Sequence, residues 1–252
     1  MHRDSRRIGL ARALSKLGYC SRSRAAEIIR EGCVTLNGRL RRDLEFPTHL
    51  DKDRIAVDGV RVQPGPRIYL MMNKPRGLVT TASDEKGRQT VYSILKNEES
   101  LPWVSPVGRL DKASEGLLLL TNDSEWASRI AAPETHLEKI YHVQIAKMAD
   151  EKLVHAMKRG IRTRDGEVLR VGQCRVLRAG TKSCWLEIVL DEGKNRHIRR
   201  IMAALEIEVL RLVRVAIGPL QLGELAKGSF RPLMPEEKLA LDRAMKSVKP
   251  EV

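Results

Sequence analysis

The stretch that most constrains this chain is residues 106–123, Pro-Val-Gly-Arg-Leu-Asp-Lys-Ala-Ser-Glu-Gly-Leu-Leu-Leu-Leu-Thr-Asn-Asp. Four consecutive leucines stand between a polar Ser-Glu-Gly step and the turn signal Thr121-Asn122-Asp123. So short an apolar run, bounded by turn residues, predicts a strand buried on both faces. Asp111 precedes it and is expected on a tight loop leading into the sheet. A charge in that place is costly unless it is paired or used. An isolated aspartate would be read as a turn cap. Arg109 beside it and a second basic cluster around Arg196 turn the reading toward function.

At 252 residues the chain can bury a sizeable core and form two domains. Its 42% hydrophobic content implies a globular protein, and its 4% aromatic content argues against a broad base-stacking platform. No run approaches the roughly 18 apolar residues of a membrane-spanning helix. The first residues, Met-His-Arg-Asp-Ser-Arg-Arg, lack the apolar core of a secretory signal. Cys20, Cys33, Cys174 and Cys184 show no Cys-x-x-Cys spacing and are expected to be reduced core residues, neither zinc ligands nor bridges. A cytoplasmic protein is expected, with no membrane partner and a monomer as the default. The formal charge of +14 favours a polyanionic partner, chiefly nucleic acid. Residues 1–42 hold eleven Lys/Arg against three acids, so more than half of the excess lies in about one-sixth of the chain.

Leu10, Ala13, Leu14 and Leu17 follow the spacing of an amphipathic helix stopped by Gly18. Ser21 or Ser23 caps a second helix running to about Glu31, with Ala26, Ile29 and their neighbours inward and Gly32 at its end. Arg7, Arg12, Lys16, Arg22, Arg24 and Arg30 are left on the polar side. Residues 33–40 read as a strand entering an Asn-Gly hairpin, and residues 55–62 as a second short hairpin around Asp58-Gly59. Two short helices followed by small strands, with the Leu-Gly-Tyr-Cys-Ser-Arg-Ser-Arg-Ala-Ala-Glu and Gly-Cys-Val-Thr-Leu-Asn-Gly steps, resemble the S-four-type RNA-binding domain over residues 6–64. In that fold helical arginines grip structured RNA backbone, which suits the bidentate fit of guanidinium to phosphate. Gln63-Pro64-Gly65-Pro66 reads as a linker.

Beyond the linker, residues 68–73 read as a strand running into Lys74-Pro75-Arg76-Gly77. Thr90 to Leu95 is a short helix or an extended piece, and Ser124 to Ala132 is a helix. Residues 139–145 alternate as a strand, residues 150–159 read as a helix, and strands recur near 168–177 and 183–190. In residues 190–202, Ile198, Ile201 and Met202, with Leu205 beyond, form an inward helical face. Lys194, Arg196, Arg199 and Arg200 crowd the start of that helix, where cations oppose the macrodipole. Such a local conflict points to a functional cause, either phosphate contact or pairing with a buried carboxylate. Residues 209–217 alternate as a strand, with Arg211 and Arg214 expected on one side.

Four cassettes occur in order: Lys74-Pro75-Arg76-Gly77; Gly108-Arg109-Leu110-Asp111 with Gly116 to Asp123; Lys139-x-Tyr141; and Glu192-Gly193-Lys194-Asn195-Arg196-x-Ile198-Arg199-Arg200. Together they resemble the ribosomal small-subunit pseudouridine synthase A family, which includes several large-subunit rRNA enzymes. The resemblance implies an α+β catalytic domain over residues 68–240, built on a long mixed, mainly antiparallel bent sheet with its cleft along one face. It implies isomerisation of a specific uridine to pseudouridine in ribosomal RNA, with a weak preference for the large subunit. No metal or organic cofactor is implied. Partners would be ribosomal RNA or a ribosomal subunit precursor.

The same resemblance assigns Asp111 as the catalytic aspartate, acting as nucleophile or as a base toward a ribose proton. It makes Arg196 the aspartate's partner and Tyr141 the residue that packs on the extruded base. Lys74, Arg76, Arg109, Lys194, Arg199 and Arg200 are expected at the RNA. Ala113, Ile140 and His197 depart from the commoner pattern, where a larger residue, Thr and Gln are usual. A non-catalytic RNA-binding assembly factor is the alternative, and an RNA hydrolase releasing uracil a further one.

Overall fold

A computed structural model describes residues 7–82, 84–96, 98 and 101–245. The expected domain start at residue 6, and the residues before it, lie outside the described residues. The chain divides into two compact units. One comprises Met1–Tyr69, Lys96–Ser105 and Leu120–Ser124, and the other Leu70–Leu95, Pro106–Leu119 and Glu125–Val252.

In the first unit the helices span Leu10–Lys16 and Arg22–Glu31. Of the two candidate caps, Ser21 makes the bond: its hydroxyl accepts the Arg24 amide at 3.1 Å. Gly32 ends the helix in the left-handed region at φ +87°. It is Ala25, not Ala26, that is fully buried beside Ile28 and Ile29. The hairpins turn through Asn37-Gly38 (φ +53° and +78°) and Asp58-Gly59 (φ +50° and +79°). Such paired positive φ values match the twist of a two-residue hairpin. The strands Arg39–Leu40, Val34–Leu36, Ile55–Val57 and Val60–Arg61 lie side by side in that order. Leu10, Leu14, Ala25, Ile29, Val34 and Ile55 close a single core between helices and strands.

Nine strands among the described residues form one mixed sheet. Antiparallel pairing joins Gln173–Ala179, Cys184–Leu190, Lys139–Ile145 and Val209–Ile217 in turn. Val209–Ile217 then runs parallel to Glu115–Thr121. Tyr69–Lys74 and Phe230–Pro232 complete the path. All seven residues of Glu115–Thr121 are buried, as the leucine run requires. On one face of the sheet, helix Glu151–Arg159 and helix His197–Ala204 pack Met157, Ile201 and Met202 against Val143, Leu186 and Ile188. Asp150 caps the first of these helices, its carboxylate accepting the Leu153 amide at 2.9 Å. Thr90 to Leu95 contains a single 3-10 turn, Val91–Ser93, whose cap is Thr90.

Arg211 and Arg214 do not share a side. Residues three apart on a strand face opposite ways. Arg211 is exposed and pairs with Glu115, whereas Arg214 is buried with Leu212. A β-bulge follows: Ile140 faces Ala216, but Tyr141 faces Arg214, so Val215 is the extra residue. The bulge switches side-chain parity, bringing Leu212, Arg214 and Ile217 to the same cavity despite their odd spacing.

Candidate active site

The loop that carries Asp111 is held by its main chain. Gly108 turns at φ +70°, a conformation that favours glycine. Thr80 then clamps buried Leu110: its hydroxyl donates to the Leu110 carbonyl at 2.8 Å and accepts the Leu110 amide at 3.3 Å. Lys74 lies beneath the loop with no exposed surface. Its ammonium donates to the carbonyls of Ser114 (2.8 Å), Pro75 (3.1 Å) and Asp111 (3.2 Å). Burial pushes this ammonium down to about 8. The expected RNA contact of Lys74 is therefore corrected: a fully buried lysine bonded to three carbonyls has no access to phosphate. Arg76, two residues on, is exposed, with Nη1 3.4 Å from the Leu210 carbonyl.

The segment leading into helix His197–Ala204 brings cations to Asp111. Arg196 sits at the N-cap in the left-handed region (φ +50°, ψ +31°), where non-glycine residues are uncommon. Its Nη1 lies 3.7 Å from Asp111 Oδ2, and Arg199 Nε lies 3.8 Å from the same oxygen. The two arginines differ in setting. The Arg196 side chain is 55% exposed and that of Arg199 only 15%. Arg199 is fixed further by donating from Nη2 to the Ala113 carbonyl at 3.0 Å. Because residue 113 contributes a carbonyl there, a small side chain serves. Arg199, expected at the RNA, thus stands as close to the carboxylate as Arg196 does. At these separations neither guanidinium reaches hydrogen-bonding distance, so the lone pairs of Asp111 stay open to a substrate.

The other two cations of the cluster have acidic partners. Arg200 Nη2 lies 2.6 Å from both Asp165 Oδ2 and Glu167 Oε2. Lys194 pairs with Glu192 at 3.0 Å and Glu167 at 3.3 Å. A hydrogen bond from the Thr163 hydroxyl, with Arg200 behind it, holds the Asp165 carboxyl down at about 2. Carboxylates on the turn between strands Ile161–Arg162 and Val168–Leu169 thereby relieve the opposition between these cations and the helix dipole. Nothing in the local sequence around residue 200 signals acids some 35 positions upstream. His197 is buried; its Nε2 donates to the Arg170 carbonyl at 2.9 Å, and burial lowers its pKa.

Arg109, Asp111, Tyr141, Arg196, Arg199 and Arg214 line one open cavity of about 190 Å³. Arg109 is exposed, while Tyr141 is half-buried on Lys139–Ile145, with its ring against the sheet core. Arg214 was noted in the sequence only as a strand arginine, and Lys139 only as part of a cassette; strand parity alone could have turned Arg214 inward. In the first unit Arg12, Arg22 and Arg30 are exposed. Arg24 is spent on Glu27 at 3.0 Å, and Arg7 Nε donates to His49 at 3.0 Å. Among the described residues no group of three or more His, Cys, Asp or Glu could hold a metal, and no helix is long and apolar enough to cross a membrane.

A half-buried carboxylate facing paired guanidiniums in a sheet-lined cavity, on a chain with a basic helix-pair unit, fits an RNA-modifying enzyme. The family model for RNA pseudouridylate synthase matches residues 68–204, and that for the S4 domain matches residues 8–50. The chain is 36% identical over 239 residues to an uncharacterized RNA pseudouridine synthase of Aquifex aeolicus (strain VF5), covering 94% of this chain and 95% of the relative. It is 33% identical over 230 residues to ribosomal large subunit pseudouridine synthase B of Bacillus subtilis (strain 168), covering 90% and 93% respectively. A crystal structure of a pseudouridylate synthase superposes with a TM-score of 0.62 at 29% identity, covering 93% of this chain and 99% of that one. The chain belongs to the RNA pseudouridylate synthase family and carries an N-terminal S4 domain.

Proposed function

We propose that this enzyme isomerises one uridine of ribosomal RNA, with large-subunit rRNA the favoured substrate. Similarity to the Bacillus subtilis large-subunit enzyme along 90% of the chain supports that choice. Asp111 acts on the ribose, as nucleophile at C1′ or as base toward a ribose proton. The N1–C1′ bond breaks, the detached base turns, and C5 bonds to C1′ as Asp111 is displaced from that carbon or returns the ribose proton it took; the C5 proton leaves to solvent and N1 takes up a proton. Arg196 and Arg199 balance the carboxylate's charge, and Tyr141 offers its ring to the inserted base. Extruding the base costs a few kcal/mol, which contacts from exposed cations such as Arg12, Arg22, Arg30, Arg76 and Arg109 offset.

The observation that carries this reading is one carboxylate oxygen of Asp111, 3.7 and 3.8 Å from two guanidiniums at a cavity wall. Simple phosphate binding gains nothing from such a group. The test is tritium release from rRNA labelled at uridine C5. Wild-type protein releases tritium and Asp111→Asn does not, while both bind the RNA. Tight binding without release from either subunit's rRNA would leave an assembly factor; free uracil with abasic RNA would indicate a hydrolase.

A further inference from the structure

Among the described residues, Arg214 is a buried arginine of the cavity with no carboxylate beside it to balance its charge. It is 6% exposed and lines the cavity wall. Its Nε donates to the Leu117 carbonyl at 2.8 Å, but its buried Nη2 has no hydrogen-bond partner. A buried guanidinium N–H left without an acceptor is costly, and native folds rarely leave one so unless something else supplies the acceptor. No carboxylate pairs with Arg214 among the described residues. A charged neighbour is another cation, Lys139, which lines the same cavity and whose pKa is lowered by burial and by Arg214, with Asp191 acting in the opposite direction. Two cations share this part of the wall, and the bulge at Val215 sets Arg214 directly across from Tyr141.

Depth identifies the acceptor. Phosphates of a bound strand remain at the solvent side, where exposed Arg109 and Arg196 stand. The portion of a flipped nucleotide that reaches the guanidinium of buried Arg214, across from Tyr141, is the base. We propose that Arg214 reads the inserted uracil, donating to one of its carbonyl oxygens, and with Lys139 stabilises the negative charge the base carries while detached. When N1–C1′ breaks, the bonding pair stays with the base and spreads onto its carbonyl oxygens. That pair returns when C5 attacks C1′. The role holds whether Asp111 serves as nucleophile or as base. Fixed donors aimed at developing charge in a water-poor site are among the strongest catalytic devices.

The inference rests on the uridine-isomerase reading, which wild-type turnover of unmodified RNA checks separately. Single-turnover rates and RNA affinity are measured for wild type, Arg214→Lys and Arg214→Gln. RNAs carrying 2-thiouridine or 4-thiouridine at the target are compared with the unmodified RNA. Both variants are expected to bind RNA within about threefold of wild type while their rates fall on the order of 100-fold. One thio substitution should slow the wild-type enzyme by roughly tenfold or more, since sulfur accepts hydrogen bonds poorly, and should add little in Arg214→Lys. If one variant fails to fold, the other carries the comparison, and unslowed reaction of both thio RNAs in wild type refutes the proposal without any variant. A wild-type rate in Arg214→Lys, a loss confined to RNA affinity, or unslowed reaction of both thio RNAs would overturn the proposal.

Discussion

Gly116 and Gly108 form an internal control for how the active-site loop is built. Gly116, second in the buried strand Glu115–Thr121, has φ +101°, and a Cβ there would lie 2.8 Å from the Arg214 nitrogen and closer still to its carbonyl oxygen. Both atoms are backbone and cannot rotate away. Gly108 has φ +70°, with nothing within 4 Å of its would-be Cβ. A left-handed alanine is strained by about 1–2 kcal/mol, and the stiffer unfolded chain returns about 0.4–1 kcal/mol. Gly108→Ala should therefore lose about 1 kcal/mol. Gly116→Ala carries the same strain plus a forced separation of the parallel pair, worth about 2–3 kcal/mol as overpacking, for a total of about 3–4 kcal/mol. At roughly 2–4 °C per kcal/mol for a domain of this size, Tm should fall by about 3 °C and about 10 °C respectively. Thermal melts followed by circular dichroism, with urea midpoints as a second measure, test the difference. Equal losses in the two variants would refute the claim that the backbones of Gly116 and Arg214 are in contact.

Two further outcomes follow from buried and capping groups. Lys74 titrates near 8 in the folded chain against 10.5 for the free side chain, so between those values the unfolded chain holds a proton the folded chain has released. Stability should rise with pH across that window by up to about 1.36 kcal/mol per unit in wild type and lack that increment in Lys74→Met; parallel pH profiles of the urea midpoint would contradict this. Ser21→Ala should cost about 1 kcal/mol through loss of the bond to the Arg24 amide, whereas exposed Ser23→Ala should stay within about 0.5 kcal/mol, a contrast that denaturant unfolding reads directly.

Features set by neighbours in sequence were legible before any coordinates. The leucine run, the Asn37-Gly38 and Asp58-Gly59 turns and the stop at Gly32 each follow from a few adjacent residues and their backbone preferences. The meeting of Asp111 with the arginines near residue 196 came through the resemblance of whole cassettes, because 85 residues separate them. What stayed hidden depends on distant packing. The burial of Lys74 is decided by carbonyls 37 and 40 residues away, and the commitment of Arg200 by acids 33 and 35 residues upstream. Arg214 was misplaced for a simpler reason: a period of two puts it opposite Arg211, and the bulge at Val215 then changes what lies beside it.

The stitching of the Asp111 loop through Lys74, Thr80 and the Ala113 carbonyl has a practical corollary. Since carbonyls and one amide anchor the reactive acid, the side chains at 109, 112 and 113 are released from any duty of shaping that loop. Such an arrangement lets lineages, or engineers, retarget the enzyme to another uridine by rewriting those positions while the chemistry underneath stays untouched.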